Sequence, residues 1–298
     1  MGRETLVTLL IMICGGLLLQ LLAAWPSGGT ADVDPAALER QAWLALCRPV
    51  APVLTIVAWL IGWALLEPDP VRDPLDPAVV LWLWLPFGLL FARAAARATW
   101  SLVRQLPECG VSTFGLLQPQ VVFSPFLARR LDEPVIHAAL AHERAHARHR
   151  DPLRIWAAQL ITDLQWPWPQ AQRRLTRWLE ALELARDEEA RRAGIEGTDL
   201  AAAVLASMRF IGELPAKQRM RLAGTQFVHA RLIGDEQTLR HRISRLLAPL
   251  PVLSGAVPRK LIGLRRTLWL LTPLFLAAML LGVVYGQRIM QPLLGLTS

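Results

Sequence analysis

The run Ala138-Ala139-Leu140-Ala141-His142-Glu143-Arg144-Ala145-His146-Ala147-Arg148-His149-Arg150-Asp151 decides how the rest of the chain is read. From Glu133 to Arg148 the only proline is Pro134, glycine is absent, and alanine and leucine dominate, so the spacing predicts a helix. On a helix His142 and His146 stand one turn apart and project from the same face. Two imidazoles so placed can converge on one tetrahedral cation at about 2.0 Å, with Glu143 beside the first of them able to reach a metal-bound water. This is the HExxH arrangement of zinc metallopeptidases, in which the metal lowers the pKa of the water and the glutamate takes its proton. The plain alternative is a solvated, charged helix face that carries two histidines by chance of composition.

A catalytic zinc needs a third protein ligand and an open fourth position. The stretch Trp178 to Ala190 is a second strong helix former, and Glu183 and Asp187 lie four apart on one face of it. Glu183 can complete a His2Glu set, and Asp187 is placed to hydrogen-bond a ligand imidazole and fix its tautomer. Glu180 competes for the ligand position from nearly the same face; Glu183 is preferred because it alone has an aspartate four residues later. Glu188 and Glu189 read better as partners of neighbouring arginines.

His142 to Asp151, Glu183-Leu-Ala-Arg-Asp187, the segment Phe114-Gly115-Leu-Leu-Gln-Pro119 and the surrounding hydrophobic spans resemble the BlaR/MecR-type membrane metallopeptidases, the beta-lactam sensor-transducers and their relatives. The resemblance runs in order from about Val111 to Leu247. It implies a gluzincin-like fold with zinc on His142, His146 and Glu183, Glu143 as general base, and cleavage of a cytoplasmic protein such as a transcriptional repressor. Quality-control membrane peptidases of the HtpX type share the two motifs but place further hydrophobic spans between them, and none stands in this interval. Sensor-transducers carry a penicillin-binding domain after their last span, whereas here only Gly286 to Ser298 follow, without an S-x-x-K set. The inducing signal is therefore expected to enter elsewhere, a separate sensor protein included.

Composition argues for a membrane protein. The 298 residues are 53% hydrophobic, with a formal net charge of +8 and a mean hydropathy of +0.34, more apolar than an ordinary soluble enzyme. Cys14, Cys47 and Cys109 are odd in number and scattered, so neither a disulfide framework nor a thiolate zinc site is expected.

Four spans are expected: Leu6 to Trp25, Ala51 to Leu66, Ala78 to about Ala92, with Trp82 and Trp84 near one end, and Leu268 to Tyr285. The first reads as a retained span rather than a cleaved signal peptide. A connector with a short amphipathic stretch, Ala36 to Leu46, follows the first span. A proline-rich acidic loop, Glu67 to Pro77, separates the second and third. The fold class that results is mainly α, with four transmembrane helices and a cytoplasmic α+β zinc peptidase domain between the third and fourth. Its divisions are 1–97 for the first membrane region, 98–266 for the peptidase and 267–298 for the last span and tail. Arg93, Arg97, Arg104 and the basic cluster Arg259 to Arg266 near the membrane ends put the catalytic segment in the cytoplasm. Both termini then lie outside a bacterial-type inner membrane.

Inside the central segment, Val111 to Leu116 and Gln120 to Ser124 read as two short strands. Val121 to Ser124 is either a rail for extended substrate or one arm of a packing hairpin. Ile155 to Leu164 reads as a core helix, and Asp199 to Phe210 and Phe227 to Leu247 as further helices. His149 rises about 10.5 Å above His142 and cannot share its ion. His137, His229 and His241 are not expected to bind metal, and Arg144 is expected to turn toward solvent. Arginine clusters at Arg173-Arg174 and Arg191-Arg192 carry no recognisable DNA-binding motif, so a solvated face or apposition to the lipid bilayer is expected and nucleic-acid binding is not.

The reading that results is a multi-pass membrane zinc endopeptidase that signals by cleaving a cytoplasmic regulator, with autocleavage included. The competing readings are a quality-control membrane peptidase and a non-hydrolytic transducer or scaffold that keeps the zinc site for stability.

Overall fold

A proline opens several of the helices, because a helix's first turn leaves its amide protons without partners and proline has none to lose. In the computed structural model of the chain this holds for α1 (Pro35–Cys47), α3 (Pro77–Val103) and α4 (Pro125–Ala128), and for α5 (Glu133–His149), where Pro134 is in the first turn. It holds again for α6 (Asp151–Leu164) and α7 (Pro169–Arg192). The remaining helices are α2 (Val50–Leu65), α8 (Gly197–Glu213) and α9 (Glu236–Leu247). The structure describes residues 34–65, 77–103, 111–165, 168–213, 236–250, 273–274, 276–285 and 288. Strands β1 (Val111–Phe114) and β2 (Gln120–Phe123) pair antiparallel, with Val111 opposite Phe123 and Thr113 opposite Val121.

Among the described residues, two apolar clusters join α1, α6 and α7 and, separately, α5, α7, α8 and α9. Trp43, Leu46 and Cys47 of α1 pack with Ala158 of α6 and with Leu175, Trp178, Leu179 and Leu182 of α7. The Trp43 and Trp178 rings lie 5.0 Å apart at 54°, a tilted arrangement that suits the quadrupoles of two aromatic faces. The amphipathic stretch after the expected first span is thus the outer layer of the same core as the helix that carries Glu183. The second cluster joins Ala138 of α5, Ala190 of α7, Leu200 and Ala201 of α8 and Leu246 of α9. It closes because Gly197 has no side chain: a Cβ there would lie 2.0 Å from the Leu246 carbonyl oxygen.

The four-span membrane architecture is corrected by these helices: among the described residues, none is long and apolar enough to cross a membrane. Val50–Leu65 has 16 residues, about 24 Å of helix against a hydrocarbon layer of about 30 Å. Pro77–Val103 is longer, but its apolar run ends at Arg93, and Arg97 is engaged with Asp163 at 3.4 Å. The helical residues 276–285 cross α2 at Gly62, where a Cβ would lie 2.0 Å from the Met279 carbonyl oxygen. Multi-pass placement in a bacterial-type inner membrane, with a cytoplasmic peptidase domain and both termini outside, is corrected by the same finding. The expected first span at 6–25, most of the acidic loop at 67–77 and the basic cluster at 259–266 lie outside the described residues, as do Cys14, Cys109 and His229.

Candidate metal centre

Helix α5 supplies two imidazoles from one face, and α7 crosses it to supply a carboxylate. His142, His146 and Glu183 are all buried, and one ligand atom from each comes within 4.8 Å of the others. The two Nε2 atoms are 3.1 Å apart. Glu183 faces both, with Oε2 3.4 Å from His142 Nε2 and Oε1 3.4 Å from His146 Nε2. A tetrahedron with metal–ligand arms of about 2.05 Å has edges of about 3.3 Å; the two imidazole nitrogens span one such edge, and each Glu183 oxygen stands at about that distance from one of them.

The far side of each ring explains which nitrogen faces inward. His142 Nδ1 lies 2.9 Å from Oδ1 of Asp187, and His146 Nδ1 lies 2.9 Å from Oδ2 of Asp151. An ionised carboxylate only accepts, so the Nδ1 that faces it carries a proton, and in the neutral rings Nε2 is then left with its lone pair. Two such lone pairs at 3.1 Å beside a buried carboxylate call for a cation or a proton among them. The donor set, two imidazoles and one carboxylate, is one that zinc accepts.

Charges around the cluster are strongly biased. Burial alone would lower the pKa of His146, but the Glu183 and Asp151 carboxylates outweigh it and push it up to about 10. His142 is raised likewise, against burial, by Asp187 and Glu183. Burial would raise the Asp187 carboxyl, yet the Arg242 guanidinium overrides it and holds the group at about 2. Asp151 is buried too, and Arg186 with His146 keeps it well below the usual carboxylate range.

Glu143, the remaining residue of the motif, is buried. The Thr113 hydroxyl on β1 lies 2.8 Å from its Oε2 and 2.9 Å from its carbonyl oxygen, so the strand pins the carboxylate that the motif offers as a base. Glu180, the rival of Glu183, is directed away from the cluster, its Oε1 lying 3.5 Å from the Thr238 hydroxyl. Asp187 lies against His142, Oδ1 2.9 Å from Nδ1. Arg144 is exposed, as are His137 and His241. His149 turns to Glu189, with Nε2 2.8 Å from Oε2, and Glu188 pairs with Arg192.

The sequence did not disclose three participants. Asp151 anchors His146 because α6 starts at once after α5: Arg150, at φ 53°, is both the last cap of α5 and the first of α6. A non-glycine residue in the left-handed region at a helix end was a signal open to no reading of composition. Arg242 of α9 binds Asp187 and also sets Nη1 2.9 Å from Glu183 Oε2. Its only sequence trace was the arginine-rich character of 240–245. Thr113 carried no signal at all.

Comparison with protein-family models, with curated proteins and with solved structures found no match.

Proposed function

We propose that the chain is a zinc-dependent endopeptidase in which His142, His146 and Glu183 hold the metal and Glu143 is the general base. The observation that carries this is the convergence of both HExxH histidines with a glutamate brought from another helix, all buried, with donors 3.1 and 3.4 Å apart. Bound zinc would supply a Lewis acid for the scissile carbonyl and lower the pKa of an adjacent water. The chain's residues do the rest. Asp187 and Asp151 keep both Nδ1 atoms protonated and both Nε2 atoms turned inward. Glu143, steadied by Thr113, takes a proton from the attacking water as the new C–O bond forms, and passes it to the amine nitrogen as the C–N bond breaks.

By the resemblance described above, the substrate class is a regulatory protein such as a transcriptional repressor, with self-cleavage and a separate sensor protein belonging to the same proposal. Metal content and proteolysis by purified wild type and Glu143→Gln test it. The variant is expected to retain stoichiometric zinc and to lose hydrolysis by about 10²–10⁴-fold. Zinc-loaded wild type that cleaves neither itself nor any protein captured by that variant would leave a scaffold whose zinc serves stability.

A further inference from the structure

Charged side chains lie in series between α1 and the metal centre. Glu39 of α1 is fully buried, and its Oε1 accepts from Trp178 Nε1 at 3.1 Å and from Arg154 Nη2. Arg154 lies on α6, its guanidinium carbon 5.2 and 5.4 Å from the Trp43 and Trp178 ring centroids. Its Nη1 donates to Asp151 Oδ1 at 2.9 Å. Asp151 receives two more bonds from Arg186, at 2.5 and 3.0 Å, and its Oδ2 meets His146 Nδ1 at 2.9 Å.

Charge balance explains the distant glutamate. Asp151 faces two guanidinium groups, and a carboxylate neutralised twice over is a weak acceptor for an imidazole N–H. Glu39 takes up the charge of Arg154, so the signs alternate along Glu39, Arg154, Asp151 and Arg186, and Asp151 keeps its strength toward His146. An acid is costly to bury unless paired, and packing of α1 would be served as well by an apolar residue here.

We propose that Glu39 is a positioning residue for the metal centre: acting through Arg154 and Asp151, it sets how strongly His146 donates from Nε2, so that docking of α1 is part of building a competent site. The proposal rests on the reading of His142, His146 and Glu183 as zinc ligands. Loss of an outer partner of a metal-bound histidine weakens metal binding by about 10–100-fold, and the charge at Glu39 lies two residues further out than such a partner.

The test is zinc titration of the full chain against a chromophoric chelator, for wild type, Glu39→Gln, Arg154→Met and the double variant, with the visible spectrum of the cobalt-substituted forms as a second readout. Glu39→Gln keeps the shape and the acceptor for Trp178 but leaves the Arg154 charge to Asp151 alone, and should weaken zinc binding about tenfold and shift the cobalt bands. The double variant removes both charges and should return affinity and spectrum toward wild type, which a packing role would not do because it loses more contacts still. Unchanged affinity in Glu39→Gln overturns the proposal, as does a double variant no tighter than the single. Where Glu39→Gln fails to fold, the double variant decides alone, near-wild-type affinity supporting the proposal and a tenfold loss overturning it. Wild type that binds no zinc, or a Glu183→Gln variant that binds it as tightly, would instead overturn the metal assignment.

Discussion

Arg242 grips Asp187 at two points, Nε 2.6 Å from Oδ2 and Nη2 2.8 Å from Oδ1, with both residues buried. Removing one partner of such a pair strands the other in a dry interior, at a cost of about 3–5 kcal/mol. Arg242→Met is therefore expected to lower the stability of the metal-free protein by about 3 kcal/mol in denaturant unfolding. Arg240→Met breaks the exposed pair with Glu236 and should stay within about 0.5 kcal/mol of wild type. Equal losses in the two variants would show that the buried grip contributes nothing special.

Asp187→Ala leaves the His142 ring free to turn and to protonate on either nitrogen. Zinc affinity is expected to fall about 10–100-fold. Glu180→Ala, on the same helix but directed to Thr238, should leave it unchanged, and competition titration with a chelator measures both.

The imidazoles make metal binding compete with protons. His146 has its pKa raised to about 10 in the folded metal-free chain, and His142 is raised also. Groups whose folded pKa exceeds the unfolded value stabilise fully below the latter, about 6.5, and lose that contribution as pH climbs through the folded value. Metal-free protein should thus become less stable from about pH 6.5 toward 10. Apparent zinc affinity should rise over the same interval, with protons released on binding. Calorimetry in buffers of different ionisation enthalpy counts those protons, and a count of zero at pH 7 would contradict the assignment.

Thr113→Val removes one hydrogen bond from the Glu143 carboxylate. A net loss of about 1.4 kcal/mol in the transition state corresponds to about tenfold in kcat, with zinc content and KM unchanged. A change confined to KM would place Thr113 with substrate binding instead.

Arg150 sits at φ 53°, a conformation costing an L-residue about 1–2 kcal/mol. Arg150→Gly should raise stability by about 0.5–1 kcal/mol in thermal unfolding. A loss would mean that its side chain contributes more than its backbone costs.

What could be read from the chain in advance was local. The HExxH helix runs Glu133–His149, and the i, i+4 spacing puts Glu183 and Asp187 on one face of α7, because a single helix fixes those relations. Glu39, Thr113 and Arg242 come from distant segments, and nothing in the order of residues states which arginine will meet which acid. The membrane expectation failed for a related reason. Average hydropathy sums composition and does not state how far each apolar helix runs, and no described helix is long and apolar enough to cross a membrane.

The direct junction of α5 and α6 at Arg150 makes the two halves of the cluster unequal in how they come to be assembled. His146 meets Asp151 across a single corner of chain. His142 meets Asp187 only where α7 crosses α5, and the same helix supplies Glu183. On the proposed assignment, the α5–α6 corner by itself offers a metal ion imidazoles but no carboxylate, and the long crossing helix completes the donor set.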